Sequence, residues 1–537
     1  MTETQSGSEK VTSDYATTDS RVKKSILNAR INMICYFVSL LTSFFTRRTF
    51  IDYLGLDFMG LTGSIASLLS FLNLAELGIG GSIAFLLYKP VHDRDRFKVN
   101  ELISVMGYLY RWIGIIIISA GIILSLFFPL IFPDTGFSLK LIYFVFFCFM
   151  ANSMWGYFFN YKMAIMSADQ RNYLITGYFQ ATTSARLIAQ MVFAMLWANF
   201  YLFVIIEVVF AIINTLLINW KIRKTYPWLK TELKQGRKLL KKYPEVKKYM
   251  SQIFIHNVGS FVQWQTLPLI IYGYVSLPVV TLYNNYTTIT TRCSSFVNGV
   301  INSVGAGVGN MIAEGDREKI FRVYQQLFSG RFYIAGGMAA GFMYLISPFV
   351  AAWLGPECVL DRGVVTVVIF SYFLGMMRGI NENFIGGFGL FADVWSPLAE
   401  SAVFLLITIG LGSIWGLLGV VLGPLISTFI FIYLWKPYWL FSRGMKRSVW
   451  HYWYLFFRCS VPILIAYGVG YLVAETLMNH YFHFTNLWTS FIVRTFCFGI
   501  PFVAVATPGM WLFVPQFHAI LVRLWGAIFK RKKKQAA

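Results

Sequence analysis

The chemistry of this chain must come from charged side chains that lie inside runs of apolar residues. A charge carried into a bilayer core is costly, and it turns toward a cavity or a partner. In the first half these residues are Arg30, Arg47, Arg48, Glu76, Arg111, Arg186 and Glu207; in the second they are Arg292, Arg331, Arg378, Glu382, Glu400 and Arg494. Arginines outnumber acids. The set therefore favours an anionic ligand, since a guanidinium meets a phosphate with forked donors.

Arg292 is the strongest single candidate. It falls near the middle of an apolar run, and Asn285, Thr288, Ser295 and Asn302 recur near its face at helical spacing. Such a stripe points to protein or water, as a hydrogen-bond ladder between helices or as a binding surface. Arg378 and Glu382 stand four apart, followed by Asn383. That spacing makes an internal ion pair that eases the burial of both charges, or one that opens and recloses to gate a transport cycle. Glu76 precedes Gly78, Gly80 and Gly81, which allow bending or close approach. Its carboxylate is either solvated among headgroups or desolvated and able to carry a proton, and Glu207 invites the same reading. Arg47 and Arg48 either snorkel to headgroups or form an outer cluster that meets a departing phosphate. His256, Ser260 and Gln263 share a face, where a lone histidine is a packed residue or a proton carrier. The expected substrate-binding set is Arg292, Arg378, Arg47, Arg48, Arg111, Arg331, Asn285 and Asn302; the expected coupling or gating set is Glu76, Glu382 and Glu207.

The elements that position these residues are long apolar segments. The 537 residues are 57% hydrophobic and 13% charged, whereas a soluble domain carries roughly 25% charged residues. About fourteen apolar runs recur from near residue 27 to near 515, each long enough to span a hydrocarbon core about 30 Å thick. With no water in that core such runs must be helices, which predicts an all-α polytopic membrane protein. Basic residues crowd alternate loops, 89–98, 162–171, 221–248, 317–322 and 436–447, and both tails, while Arg362 stands nearly alone in the others. This asymmetry predicts that both termini lie in the cytoplasm. It also accounts for the net charge of +22, which favours anionic lipid headgroups and not nucleic acid. The stretch 1–26 has no apolar leader and is expected to be a disordered tail. The six cysteines show no metal-ligand spacing and read as free thiols. No nucleophile elbow, P-loop or zinc motif appears, so neither an enzyme nor a cofactor is expected. The basic stretch 222–248 reads as a linker helix along the membrane surface. Asp95-Arg96-Phe97-Lys98 and Asp316-Arg317-Glu318-Lys319 follow equivalent spans, and each precedes an arginine, Arg111 or Arg331. They suggest a parallel internal repeat.

The stretch Phe50-Ile51-Asp52-Tyr53-Leu54-Gly55, then Gly60-Leu61, then the run from Leu69 to Gly80, then Leu87-Tyr88-Lys89-Pro90, carries a resemblance. In the second half the same holds for Trp353-Leu354-Gly355, Gly387-Phe388-Gly389-Leu390-Phe391, Pro397-Leu398-Ala399-Glu400 and the run from Gly416 to Ser427. Their order and spacing across most of 25–515 resemble the polysaccharide-transporter branch, the Wzx-type O-antigen flippases, of the multidrug/oligosaccharidyl-lipid/polysaccharide superfamily. The resemblance implies two six-helix lobes, 27–221 and 249–443, around a central cavity. An extra helix pair at 444–515 and a basic tail at 516–537 follow. It implies that a polyprenyl-diphosphate-linked oligosaccharide passes from the cytoplasmic to the outer leaflet of a bacterial inner membrane. Implied partners are that lipid, a coupling proton or sodium ion, the surrounding membrane lipids and a polysaccharide polymerase complex. Two positions depart from the family pattern: Gln265 stands where many relatives carry an acid, and Phe404 where many carry asparagine.

A drug or metabolite exporter of the same superfamily is the nearest alternative, but it would favour a cavity dominated by carboxylates. A membrane polymerase or ligase would place catalytic groups on a sizeable external loop, and the loops on that side are short.

Overall fold

Helix starts follow the residues that can cap them. Asp95 accepts from the backbone N–H of Lys98 at 2.9 Å, and Asp316 accepts from that of Lys319 at 3.0 Å. Ser138, Asn199, Asp361 and Asn486 cap four further helices in the same way. The two four-residue copies that suggest a repeat are thus one device used twice, an aspartate N-cap three positions past the preceding helix. The arginines that follow them part company: Arg111 is exposed and Arg331 is buried.

The computed structural model describes residues 18–519 except 77, 78, 134, 170, 314, 391, 392, 394 and 483. Along 18–30, 255–260 and 296–310, and at scattered single positions, it describes the backbone alone. The described residues hold helices and no strand. In order the long helices are α1 Thr18–Leu72, α2 Ile79–His92, α3 Arg96–Ser125, α4 Leu139–Phe159, α5 Asn172–Trp197, α6 Phe200–Thr225, the short α7 Gly236–Lys242, and α8 Pro244–Tyr274. Then come α9 Leu277–Ala313, α10 Arg317–Leu354, α11 Arg362–Gly387, α12 Trp395–Trp415, α13 Leu417–Thr428, α14 Trp450–His480 and α15 Leu487–Phe513. The all-α polytopic architecture read from the sequence is present. Among the described residues, ten helical runs are long and apolar enough to cross a membrane by length and composition. The other expected spans, in α2, α5, α8 and α9, are helical too. The last three carry the Asn, Thr, Gln and Arg residues that lower their hydropathy.

Three boundaries differ from the sequence reading. α1 begins at Thr18, inside the stretch expected to be a tail. The gap between the first two apolar runs, 27–50 and 60–88, shrinks to one non-helical residue, Gly55, at φ 84°, a conformation glycine adopts without steric penalty. The second expected span is broken by a 3₁₀ turn at Asn73–Glu76 before α2 resumes.

The chain forms two compact units, Met1–Val258 and Gly259–Ala537, so the basic linker belongs to the first. Only α7 within it is a separate helix, and the linker is docked on α3. The N–H of Lys230 donates to Asn100 and that of Glu232 to Ser104, while Gly236 packs so tightly on Tyr108 that a Cβ there would fall 2.2 Å from a ring-bearing carbon. Lys242 reaches Glu101 at 2.7 Å, and Tyr243 donates to the same carboxylate. Burial, then that hydrogen bond, pushes the Tyr243 phenol above its ordinary pKa, so it stays a neutral donor.

In the second unit α12 and α13 form a hairpin turned at Gly416, which takes φ 55°. Gly419 and Gly423 let the backbones close: a Cβ would stand 2.0 Å from the Leu411 carbonyl oxygen and 1.8 Å from Thr408 Oγ1, respectively. This small-xxx-small spacing is how membrane helices approach without hydrophobic drive. Gly419→Ala is expected to destabilise the protein by ~1–3 kcal/mol through overpacking. Gly410→Ala, whose Cβ meets nothing within 4 Å, should leave the thermal unfolding midpoint in detergent unchanged. The pair α14–α15 packs on α10, where Tyr333 shares a 2.7 Å hydrogen bond with Thr507 and Tyr344 stacks on Phe498.

Candidate functional site

Arg378 stands two to three turns before the end of α11, and Glu400 little more than one turn into α12. Arg378 Nε donates to Glu382 Oε1 at 2.6 Å, and its Nη1 lies 3.8 Å from Glu400 Oε1. The two carboxylates differ: Glu400 is buried, whereas the Glu382 side chain is 43% exposed. Gln263 of α8 lies beside Glu400. Behind them Arg331 of α10 is buried, donates through Nε to the Met376 carbonyl, and has Glu382 within electrostatic reach. Gly379 makes room for it, since a Cβ there would stand 3.0 Å from a guanidinium nitrogen. Close by, Asp393 Oδ2 accepts from Lys436 Nζ at 2.7 Å, Trp435 Nε1 at 3.0 Å and Ser396 Oγ at 2.8 Å. Cations and carboxylates alternate, so the charges balance. Only the contact with Glu382 is both short and open to exchange. An incoming anion would compete with that carboxylate for the fork of Arg378.

In the first unit Glu76 ends the 3₁₀ turn and accepts phenolic hydrogen bonds from Tyr110 of α3 at 2.9 Å and Tyr157 of α4 at 2.7 Å. Arg186 of α5 and Glu207 of α6 form an ion pair at 2.5 Å. The pair edges a cavity of about 350 Å³ between α4, α5 and α6. A ladder of amides and hydroxyls supports it, with Thr182 donating to Asn214, Asn160 to Thr215 and Asn219 to Asn160.

The structure thus brings Arg378, Glu382, Glu400 and Arg331 together in one unit, and Arg186 and Glu207 in the other. Arg48 instead pairs with Asp52 on its own helix at 2.9 Å, and Arg47 is half-buried beside it. Arg292 is half-buried on α9 and Asn285 is buried one to two turns before it. The side chains of Arg30, His256, Ser260 and Asn302 lie outside the described residues. Arg494 meets Glu475 and Tyr344 at 3.2 Å each, which ties the last helices to α10. Sequence reasoning missed Asp393 and Lys436, which lie at segment ends where a charge looks solvated. It also missed the phenols that hold Glu76.

No known family profile and no curated protein matches this chain by sequence. Its fold is that of the transporters of the MOP superfamily, and the chain is a multi-pass membrane protein. An inward-facing multidrug resistance MATE family transporter of that superfamily superposes with a TM-score of 0.58 at 15% identity, covering 76% of this chain and 97% of that one. The lipid II flippase MurJ, in an inward closed conformation, superposes with a TM-score of 0.61 at 15% identity, covering 91% of this chain and 100% of that one.

Proposed function

We propose that this chain is a flippase. It moves a polyprenyl-diphosphate-linked oligosaccharide from the cytoplasmic to the outer leaflet of a bacterial inner membrane, by alternating access, for surface polysaccharide export. The observation that carries the reading is Arg378, a guanidinium within a membrane span held between one buried and one accessible carboxylate. By the loop charges this group lies toward the cytoplasmic face, where such a lipid is made. The diphosphate displaces Glu382 from the fork of Arg378, Arg331 fixes the backbone of α11 behind it, and Glu382 reclaims the guanidinium once the headgroup leaves. The polyprenyl tail stays in the bilayer throughout. Coverage of the whole lipid II flippase supports this reading over the exporter, because the MATE transporter leaves about a quarter of this chain unmatched.

The test is reconstitution. Proteoliposomes that carry the lipid-linked oligosaccharide should expose it to an external lectin only when the protein is present. A knockout that keeps its surface polysaccharide and becomes sensitive to cationic compounds would favour the exporter instead. Arg292 belongs to the same reading as a second cation for the headgroup. Arg292→Ala should lower export at least about ten-fold, by the loss of ~1.5–3 kcal/mol from a charged hydrogen bond. Normal export with normal membrane levels removes it from the site.

We assign coupling to the first unit, with Glu76 as the carrier of a proton or a sodium ion. Loading Glu76 with its cation weakens the hydrogen bonds it accepts from Tyr110 and Tyr157 and so loosens α3 and α4 from the broken span. Glu76→Gln is therefore expected to make export insensitive to an imposed pH or sodium gradient, and an unchanged response would remove it from that role. Glu207, already committed to Arg186, serves the cavity described next.

A further inference from the structure

We infer that the cavity between α4, α5 and α6 is a sugar-binding subsite that takes one neutral pyranose unit of the transported oligosaccharide. The choice of sugar rests on the flippase reading; the site itself rests on the geometry of the first unit. Three features converge. First, Arg186 and Glu207 cancel each other at 2.5 Å and are the cavity's charged lining, so it suits an uncharged ligand better than a diphosphate or a cation. Second, Trp155, stacked on Phe159, lines the same space with Phe179 and Phe210. Pyranoses carry an apolar C–H face that lies against such rings, with hydroxyls around the rim. Third, Asn152 and Thr183 line the cavity, and among the described residues neither has a hydrogen-bond partner. Polar groups in a membrane-spanning helix are costly unless satisfied, and hydroxyls satisfy both donor and acceptor. The guanidinium of Arg186 and the carboxylate of Glu207 add charged partners, and hydrogen bonds of that kind are the stronger ones. The volume, about 350 Å³, falls at the small end of the range of about 300–1,000 Å³ for small-molecule sites.

The experiment is saturation-transfer NMR on the full-length protein in detergent. It uses two probe sets: oligosaccharides released by mild acid from the producing cell's own surface polysaccharide, and methyl hexosides. The wild type should transfer saturation to ring protons. Trp155→Ala and the double change Asn152→Ala/Thr183→Ala should each lower that transfer at least five-fold, and Trp155→Phe should retain most of it. The double change trims only small polar groups, so it reads the site even where the tryptophan variant misfolds. No transfer to either probe set, or transfer that ignores both variants, overturns the subsite. Lipid flipping is scored separately in proteoliposomes. Sugar binding by a chain that flips nothing keeps the subsite and sinks the flippase, whereas flipping with no sugar transfer does the reverse.

Discussion

Cells that carry Arg378→Ala as their only copy will keep the protein in the membrane and lose their surface polysaccharide. Losing the charged hydrogen bonds that the Arg378 fork would make to a diphosphate costs about 1.5–3 kcal/mol, which is roughly a 10- to 150-fold loss in binding. Structural damage would lower export too, because the change leaves Glu400 buried without its cation. The double variant Arg378→Ala/Glu400→Gln separates the two causes. If Arg378 only neutralises Glu400, removing both charges restores export. If Arg378 holds the diphosphate, the double variant folds better than the single one and remains inactive. Arg378→Lys keeps the charge but not the fork, and should fall between. Export is read as cell-surface polysaccharide, and folding as the unfolding midpoint of protein purified in detergent. Full export by the single variant removes Arg378 from the site.

Asp393→Ala should give the largest loss of stability. Its carboxylate is buried, and one oxygen accepts from Lys436, Trp435 and Ser396 together. Removing it strands Lys436, whose side chain is only 12% exposed, and an uncompensated buried charge costs ~3–5 kcal/mol. Asp393→Asn keeps an acceptor and loses the charge, so a smaller drop of ~1–3 kcal/mol is expected. Replacing both partners, as Asp393→Leu/Lys436→Met, should recover most of the stability, because no charge is left unpaired. Thermal unfolding in detergent and protease sensitivity measure all three. A double variant no better than Asp393→Ala would mean that the trio of donors, and not the charge, holds the segment.

Helix positions and local ion pairs were legible because they depend on neighbours in sequence. The apolar runs from near residue 27 to near 515 became helices, and Arg378 and Glu382 four apart became a 2.6 Å pair. The glycines after Glu76 marked a real break in the second span. Contacts between distant helices were less visible. Arg186 and Glu207 read as two isolated charges, although counting outward from the turn at Ala198-Asn199 puts both roughly two to three helical turns deep. That count was the available signal. No such count relates Arg331 to α11 or Asp393 to Lys436, because each contact depends on how two helices pack. The break expected near 51–59 failed for a different reason. Turning the chain there takes a single glycine, and the apolar residues on both sides are good helix formers.

Beyond Thr428, α13 widens into two π-helical stretches, Phe429–Trp435 and Leu440–Met445, with Lys436 between them. Such widened turns accommodate one residue more per hydrogen-bonded ring than an α-helix, and they cluster where proteins act. Were the first stretch to tighten to ordinary pitch with its residue number unchanged, everything beyond it would swing by about 100°. Lys436 would then leave Asp393. The width of the turn, and not only the residue type, therefore aims this ammonium. A chain that wound Phe429–Trp435 at ordinary pitch would keep its greasiness and its charge, and point its ammonium the wrong way.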